Sequence, residues 1–224
     1  VYVICTDPFP DSPAKKFADK CYPYDVKDID ILIELCKTER VDGVLNLCLD
    51  PCQRPHQKIC EGLNFPCYGD EVQFSILTDK RKFKNFCIEN GVGVVPECDL
   101  EKLDKGDSEF EFPIIVKPVD SRGSRGQTIC NNMNDVESAM TIAQRESGNG
   151  EVVIEKYMGR DNDFMVSYLV VDNEPYLTRT ADRYLGRPED GLEKVAIANI
   201  SPSRFADFYL SDVDPVVKKM IKNL

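Results

Sequence analysis

The segment Phe112-Pro-Ile-Ile-Val-Lys-Pro-Val-Asp-Ser-Arg-Gly-Ser-Arg-Gly126 most constrains what this chain can fold into, because an apolar run leads one lysine directly into a glycine-rich loop carrying two arginines. The run from Pro113 to Val116 reads as a buried strand. Pro118 has no N–H to give a sheet ladder, which predicts that regular pairing ends just after Lys117. Lys117 therefore stands at a strand end. Gly123 and Gly126 permit backbone angles that other residues avoid, so main-chain N–H groups can turn toward anionic oxygens while Arg122 and Arg125 add charge. That combination suits a polyphosphate. A polar hairpin turn beside a solvated lysine is the competing reading, and the rest of the chain decides between them. The loop is neither a Walker A sequence, since no Gly-Lys-Ser/Thr closes it, nor a dinucleotide fingerprint, since its spacing fails.

Two further segments bear on the choice. Leu77-Thr78-Asp79-Lys80 opens a helix that Thr78 is placed to cap, with Phe83, Phe86 and Cys87 on one face and an end at Asn90-Gly91. Lys80 is then held near the helix start, where anions are favoured. Lys80, Arg81, Lys82 and Lys84 crowd together, and the last three read as a solvated basic face. Within Val152-Val-Ile-Glu-Lys-Tyr-Met158, Val152 to Lys156 reads as a strand returning toward the core.

In order and spacing, these three motifs resemble those of the ATP-grasp carboxylate-amine ligases, the family of biotin carboxylase and the carbamoyl-phosphate synthase large chain. The resemblance implies roles for particular residues. Lys80 and Lys117 would be the two lysines that contact ATP. Ser121, Arg122, Gly123, Ser124, Arg125 and Gly126 would form a flexible flap over the phosphates. Glu155 would approach the adenine amino group, and the main chain of Lys156, Tyr157 and Met158 would read the adenine edge. Asp161, with Asp163 competing, would hold the ribose hydroxyls. Arg183, within Asp182-Arg183-Tyr184, is a candidate for a phosphate or substrate contact, set against a reading of that stretch as a solvated loop.

The family also implies ATP and Mg2+ as cofactors, a small-molecule carboxylate with an amine or ammonia as partners, and an acyl-phosphate intermediate. Bicarbonate phosphorylation and a non-catalytic ATP-binding module are the alternatives, and homo-oligomerisation is left open. The acids and asparagine that hold magnesium are expected after Leu224, and a strand, glycine loop and helix are expected before Val1, so no metal ligand is assigned within the chain. The expectation is of a part of the family unit. It is an α/β chain with a partial Rossmann-like pre-ATP-grasp domain at 1–75, a small lid subdomain at 76–157 and the start of the large subdomain at 158–224.

Composition sets the bounds of a soluble globular chain. At 224 residues and 42% hydrophobic content, the chain is long enough to bury a core of its own. It has no apolar run of about 18 residues to span a membrane and no signal-like start, so a cytoplasmic location is expected. A net charge of −11 opposes binding to a nucleic-acid backbone. Ten cysteines invite a zinc reading, but no Cys-x-x-Cys pair occurs and the single histidine, His56, falls on a helix; reduced thiols packed as small hydrophobes fit better.

Periodicity supplies the remaining elements. Val1 to Cys5 reads as a strand, Asp28 to Thr38 as a helix, Val41 to Leu47 as a buried strand, and Arg54 to Glu61 as a helix that Pro55 starts and Gly62 stops. Residues 101–109 read as a charged linker. Gln127 to Cys130 is a strand, and Val136, Ala139, Met140 and Ala143 mark a helix face ending near Gly148. Strands 163–171 and 175–180 form a hairpin, 195–200 adds a strand, and 213–224 is helical.

Overall fold

A computed structural model describes residues 1–46, 49–106, 110–159, 163–186 and 196–224. The chain divides into two units, Val1–Ser75 and Ile76–Leu224.

In the first unit, strands β1 (Ile4–Thr6) and β2 (Lys20–Tyr22) pair in parallel, with Cys5 opposite Cys21. Helices α1 (Ile29–Glu39) and α2 (Gln53–Leu63) pack on each other. Both end in a left-handed residue, Arg40 and Asn64, whose backbone N–H closes onto the last carbonyls. Gly62 therefore does not stop α2, as its sequence position suggests. It lies within the helix, where an added Cβ would sit 2.7 Å from Ile33 Cδ1, so its work is to let the two helices approach. Pro55 lies in the first turn, where a missing N–H costs no helical bond. The strand expected over 41–47 is not formed among its described residues, 41–46. The run has no ladder neighbour, Leu45 is 72% exposed, and Val44 O instead contacts the ring of His56 at 3.0 Å.

Helix α3 (Glu71–Thr78), absent from the sequence reading, runs up to α4 (Lys80–Glu89). The cap of α4 is Asp79 and not Thr78: the Asp79 carboxylate accepts from the N–H groups of Arg81 and Lys82, while Thr78 is the last residue of α3. The charged stretch read as a linker contains a short helix, α5 (Leu100–Asp104), nucleated by an equivalent cap at Asp99; residues 107–109 lie outside the described residues.

Strand β3 (Ile114–Pro118) is the middle of an antiparallel sheet between β4 (Thr128–Cys130) and β5 (Val152–Lys156). Pairing with β4 ends at Val116, but pairing with β5 continues to Pro118 opposite Val152. Proline thus ends the ladder on one side only, because the missing N–H matters only toward β4. Alternation sends Ile114 and Val116 toward α6 (Met133–Glu146), where they form a fully buried cluster with Cys130, Ala139 and Ala143. The opposite face carries Ile115 and Lys117. A capping box of Asn132 and Asp135 starts α6.

A second antiparallel sheet has the order β6 (Phe164–Val171), β7 (Glu174–Leu185), β8 (Ala196–Ile200). Asp172 and Asn173, both at positive φ, make the two-residue hairpin turn between the first two. β7 runs past the expected 180 to Leu185, so Asp182, Arg183 and Tyr184 lie in a strand paired on both sides and not in a solvated loop. The chain then forms α7 (Ala206–Phe208), a π-helical turn at Tyr209–Val213, and α8 (Asp214–Lys222). Tyr168 of β6 donates to the buried Asp214 carboxylate at 2.6 Å and meets the Tyr209 hydroxyl at 2.9 Å, joining this helical stretch to the sheet. Among the described residues no helix is long and apolar enough to cross a membrane.

Candidate functional site

The face of the β3 sheet opposite α6 carries a cluster of lysines. Lys117 of β3 and Glu155 of β5 are diagonal neighbours, since Ile115 pairs with Glu155 and Lys117 with Val153. Their side chains form an ion pair. The other Glu155 oxygen binds Lys84 of α4, so one buried carboxylate holds two ammonium groups. Lys80, one turn earlier on the same helix face, gives its backbone N–H to Val119 O at 2.8 Å and its Nζ to Ser121 O at 2.6 Å. The start of α4 is thereby tied to the segment that leaves β3, and Lys80 and Lys117 lie in each other's field.

Three ammonium groups, those of Lys80, Lys84 and Lys117, gather on this face; Glu155 binds the last two directly, and Lys84 also stands 3.9 Å from the Glu97 carboxylate. Burial favours the neutral acid of Glu155, but hydrogen bonds from Lys117 and Lys84 prevail and hold its carboxyl below the ordinary glutamate range. Burial, and next the charge of Lys117, hold the Lys80 ammonium below the ordinary lysine range. Two further acids hold bonds of their own, Asp79 capping α4 and Asp120 accepting from Ser147 Oγ at 2.9 Å and from Gly148 N, and their charges with that of Glu155 favour the Lys80 ammonium.

The loop after β3 is shaped by three consecutive constraints. Gly123, Ser124 and Gly126 all have positive φ. At Gly126 an added Cβ would lie 2.8 Å from both Glu146 Cβ and Pro118 Cγ, so only glycine fits; Gly123 faces open space. Ser121 Oγ donates to Arg125 O at 3.0 Å, and Arg125 N to Arg122 O at 3.2 Å, which folds the loop onto itself. Neither Arg122 nor Arg125 makes an ion pair among the described residues.

Beyond Glu155, Tyr157 N donates to Pro113 O at 3.2 Å, while the far edge of β5 is covered by residues 97–98 through Cys98 N and Ile154 O at 2.8 Å. Lys156 and Met158 are exposed, and Gly159 turns the chain at φ +80°. Asp161 lies outside the described residues. Asp163 and Arg183 meet: Arg183 Nη1 is 3.5 Å from the Asp163 carboxylate, and Arg183 N donates to Asp163 O at 2.8 Å.

The sequence reading missed three things here. Lys84 is not a solvated lysine but a partner of Glu155, and Arg81 is equally engaged, bonding Glu151 at 2.6 Å and Val152 O at 2.7 Å. The i,i+4 spacing of Lys80 and Lys84 carries the first signal, since both project from one face of α4. The positive φ of Ser124 has no comparable signal, because serine rarely marks that conformation. The commitment of both Glu155 oxygens to lysines also depends on pairing across residues far apart in the chain.

Comparison with known proteins bears on this arrangement. Residues 79–174 match the family model "Carbamoyl-phosphate synthase L chain, ATP binding domain". The formate-dependent phosphoribosylglycinamide formyltransferase of a Nitratiruptor species is 23% identical over 180 residues, covering 78% of this chain and 45% of that protein. Among solved structures, the biotin carboxylase domain of Hydrogenobacter thermophilus 2-oxoglutarate carboxylase, in complex with MgADP, ADP and bicarbonate, aligns with a TM-score of 0.77 at 19% identity, covering 98% of this chain and 52% of the other. The N5-carboxyaminoimidazole synthetase of Staphylococcus aureus, complexed with ADP, aligns with a TM-score of 0.74 at 19% identity, covering 99% and 56%. The chain spans about half the length of the curated relatives it matches. Its fold is that of the ATP-grasp ligases, and it resembles that family in sequence through the ATP-binding domain match at residues 79–174.

Proposed function

We propose that the chain is the nucleotide-gripping part of an ATP-dependent ligase that joins a carboxylate to an amine or ammonia through an acyl phosphate. One observation carries the reading: Lys80 and Lys117 lie in each other's field beside the glycine loop, with Lys80 Nζ bonded to Ser121 O at the loop's start. ATP supplies the phosphoryl group. Lys80 and Lys117 neutralise phosphate oxygens, each contact giving about 4 kcal/mol at 4 Å and an effective dielectric near 20 before desolvation is subtracted. Phosphoryl transfer needs such positioned charge more than covalent help from protein side chains.

In this reading Glu155 fixes where Lys117 points, because its carboxylate is already shared between two lysines. The main chain of Lys156, Tyr157 and Met158 supplies the adenine contacts, the loop Ser121–Gly126 covers the phosphates and excludes water, and Asp161 or Asp163 serves the ribose. Residues 1–75 form the pre-ATP-grasp domain, 76–157 the lid, and 158–224 the beginning of the large subdomain. The described acids near the lysines do not suit Mg2+: Glu155, Asp79 and Asp120 are each spent on protein donors. Magnesium ligation is therefore assigned to none of them. A cytoplasmic setting suits the described cysteines, which are free thiols.

Bicarbonate as phosphate acceptor is the second reading, favoured by the bicarbonate held in the Hydrogenobacter neighbour. Calorimetric titration of the chain with ATP tests the shared core of both. Lys117→Ala is expected to weaken binding at least tenfold, or about 1.4 kcal/mol. An unchanged affinity would refute the nucleotide role.

A further inference from the structure

The first unit holds a cluster unconnected with phosphate binding. His56 and Cys60 lie four residues apart on one face of α2, and both are buried. The left-handed cap at Asn64 turns the chain back, with Phe65 N donating to Cys60 O at 2.8 Å, and so returns Cys67 to the same place. One ring nitrogen of His56 and the sulfurs of Cys60 and Cys67 all lie within 4.8 Å of one another.

We propose that His56 Nδ1, Cys60 Sγ and Cys67 Sγ together bind one thiophilic d10 metal ion, with Zn2+ the ion that best fits the spacing. In a tetrahedral site with Zn–N near 2.0 Å and Zn–S near 2.3 Å, nitrogen and sulfur ligands stand about 3.5 Å apart. Cys67 Sγ, 3.7 Å from Nδ1, is close to that spacing; Cys60 Sγ, 3.4 Å from Nε2, completes the cluster within 4.8 Å and closes toward the ion on binding. Two thiolates and an imidazole are the soft donors that select zinc or cuprous ions over magnesium or calcium.

The orientation of the ring separates this cluster from ordinary core packing. His56 Nε2 lies 3.0 Å from Val44 O, so the proton belongs on Nε2, and the lone pair of Nδ1 is left for an ion, with Cys67 Sγ beside it. A ligating histidine that donates its second N–H to a backbone carbonyl is the usual outer-shell arrangement at a metal. Tyr68 stacks on the ring at 5.0 Å, is itself braced by Phe74, and hydrogen-bonds Asn46 O through its hydroxyl. The ring is thus held in the orientation that ligation needs. Binding releases the thiol protons of Cys60 and Cys67 to solvent, and the partly open side at Cys67 leaves a fourth position for water. Reading for Cys-x-x-Cys misses this set because its pattern is His-x3-Cys-x6-Cys, with one pair on a helix and the third ligand beyond the cap.

The test uses the full chain, reduced, stripped of metal and titrated with Zn2+, with bound metal measured by mass spectrometry. About one Zn2+ per chain is expected, with affinity lost at least tenfold in Cys67→Ser and His56→Gln and kept in Cys52→Ser. Co2+ replacing Zn2+ should show thiolate-to-metal charge-transfer absorption in the wild-type chain, a signal that does not depend on any variant folding. Absence of that absorption, no stoichiometric Zn2+, or full Zn2+ retention in Cys67→Ser would each overturn the proposal. The readout involves no ATP, so its outcome is separate from that of the ligase reading.

Discussion

The sheet around β3 and the unit Val1–Ser75 are built on different terms. Beneath β3, Ile114, Val116, Cys130, Ala139 and Ala143 are all fully buried and touch one another, so a single apolar layer locks the sheet to α6. In the first unit the buried apolar residues are Leu32, Ile59, Cys60 and Phe74, and the polar His56 and Gln57 share their interior. There Gln57 Oε1 is buried without a hydrogen-bond partner. The difference teaches where precision is available. In the proposed role a phosphate-binding lysine needs a rigid base, and Lys117 stands on the strand whose other face belongs to this fully buried apolar cluster.

The largest break in this comparison should come from Glu155→Gln. Removing a buried carboxylate takes away the anion that Lys117 and Lys84 share, a loss of about 4 to 5 kcal/mol, read by hydrogen exchange across β3 and β5. Its pH dependence has a definite sign. Because the folded-state pKa of Glu155 is lowered, its contribution is present above the unfolded value of about 4.3 and is lost as pH falls through the folded one. Protection of β5 should fall on acidification in the wild type, and the Gln variant should lack that component. Equal acid sensitivity in the two would contradict the pairing.

Core truncations sharpen the contrast. Ile114→Ala should cost about 3.5 kcal/mol because the interlocked layer cannot collapse into the gap, and Leu32→Ala about 2.5 kcal/mol because the first unit is looser. Hydrogen exchange, which reports each unit separately, would expose a reversed order. The smallest expected effects lie in the loop. Gly126→Ala should destabilise by about 2 kcal/mol, since its Cβ would strike Glu146 and Pro118, and Gly123→Ala by about 1 kcal/mol or less, since only its backbone angle is strained. Thermal melts showing equal shifts would remove the steric distinction.

Much of the site is contiguous in the chain, which is why sequence alone exposes it. Lys117 and the glycine loop follow one another directly, and Lys80 begins its own helix. What sequence does not carry is convergence between distant side chains. Lys84 meets Glu155, and His56 meets Cys67, only after helices and strands have packed. Elements were misread for local reasons as well. The apolar run at 41–46 looks like a strand, but strand formation depends on a neighbour that hydropathy cannot supply. At the start of α4, threonine and aspartate are both good caps, and which one serves depends on where α3 ends.

Whether Lys80 and Lys117 answer to one ligand is most directly read by lysine acylation footprinting of the chain with and without ATP. Both side chains should lose reactivity together on titration, with one midpoint, while the exposed Lys82 on the same helix stays reactive. Protection of only one of the pair, or separate midpoints, would contradict a shared triphosphate.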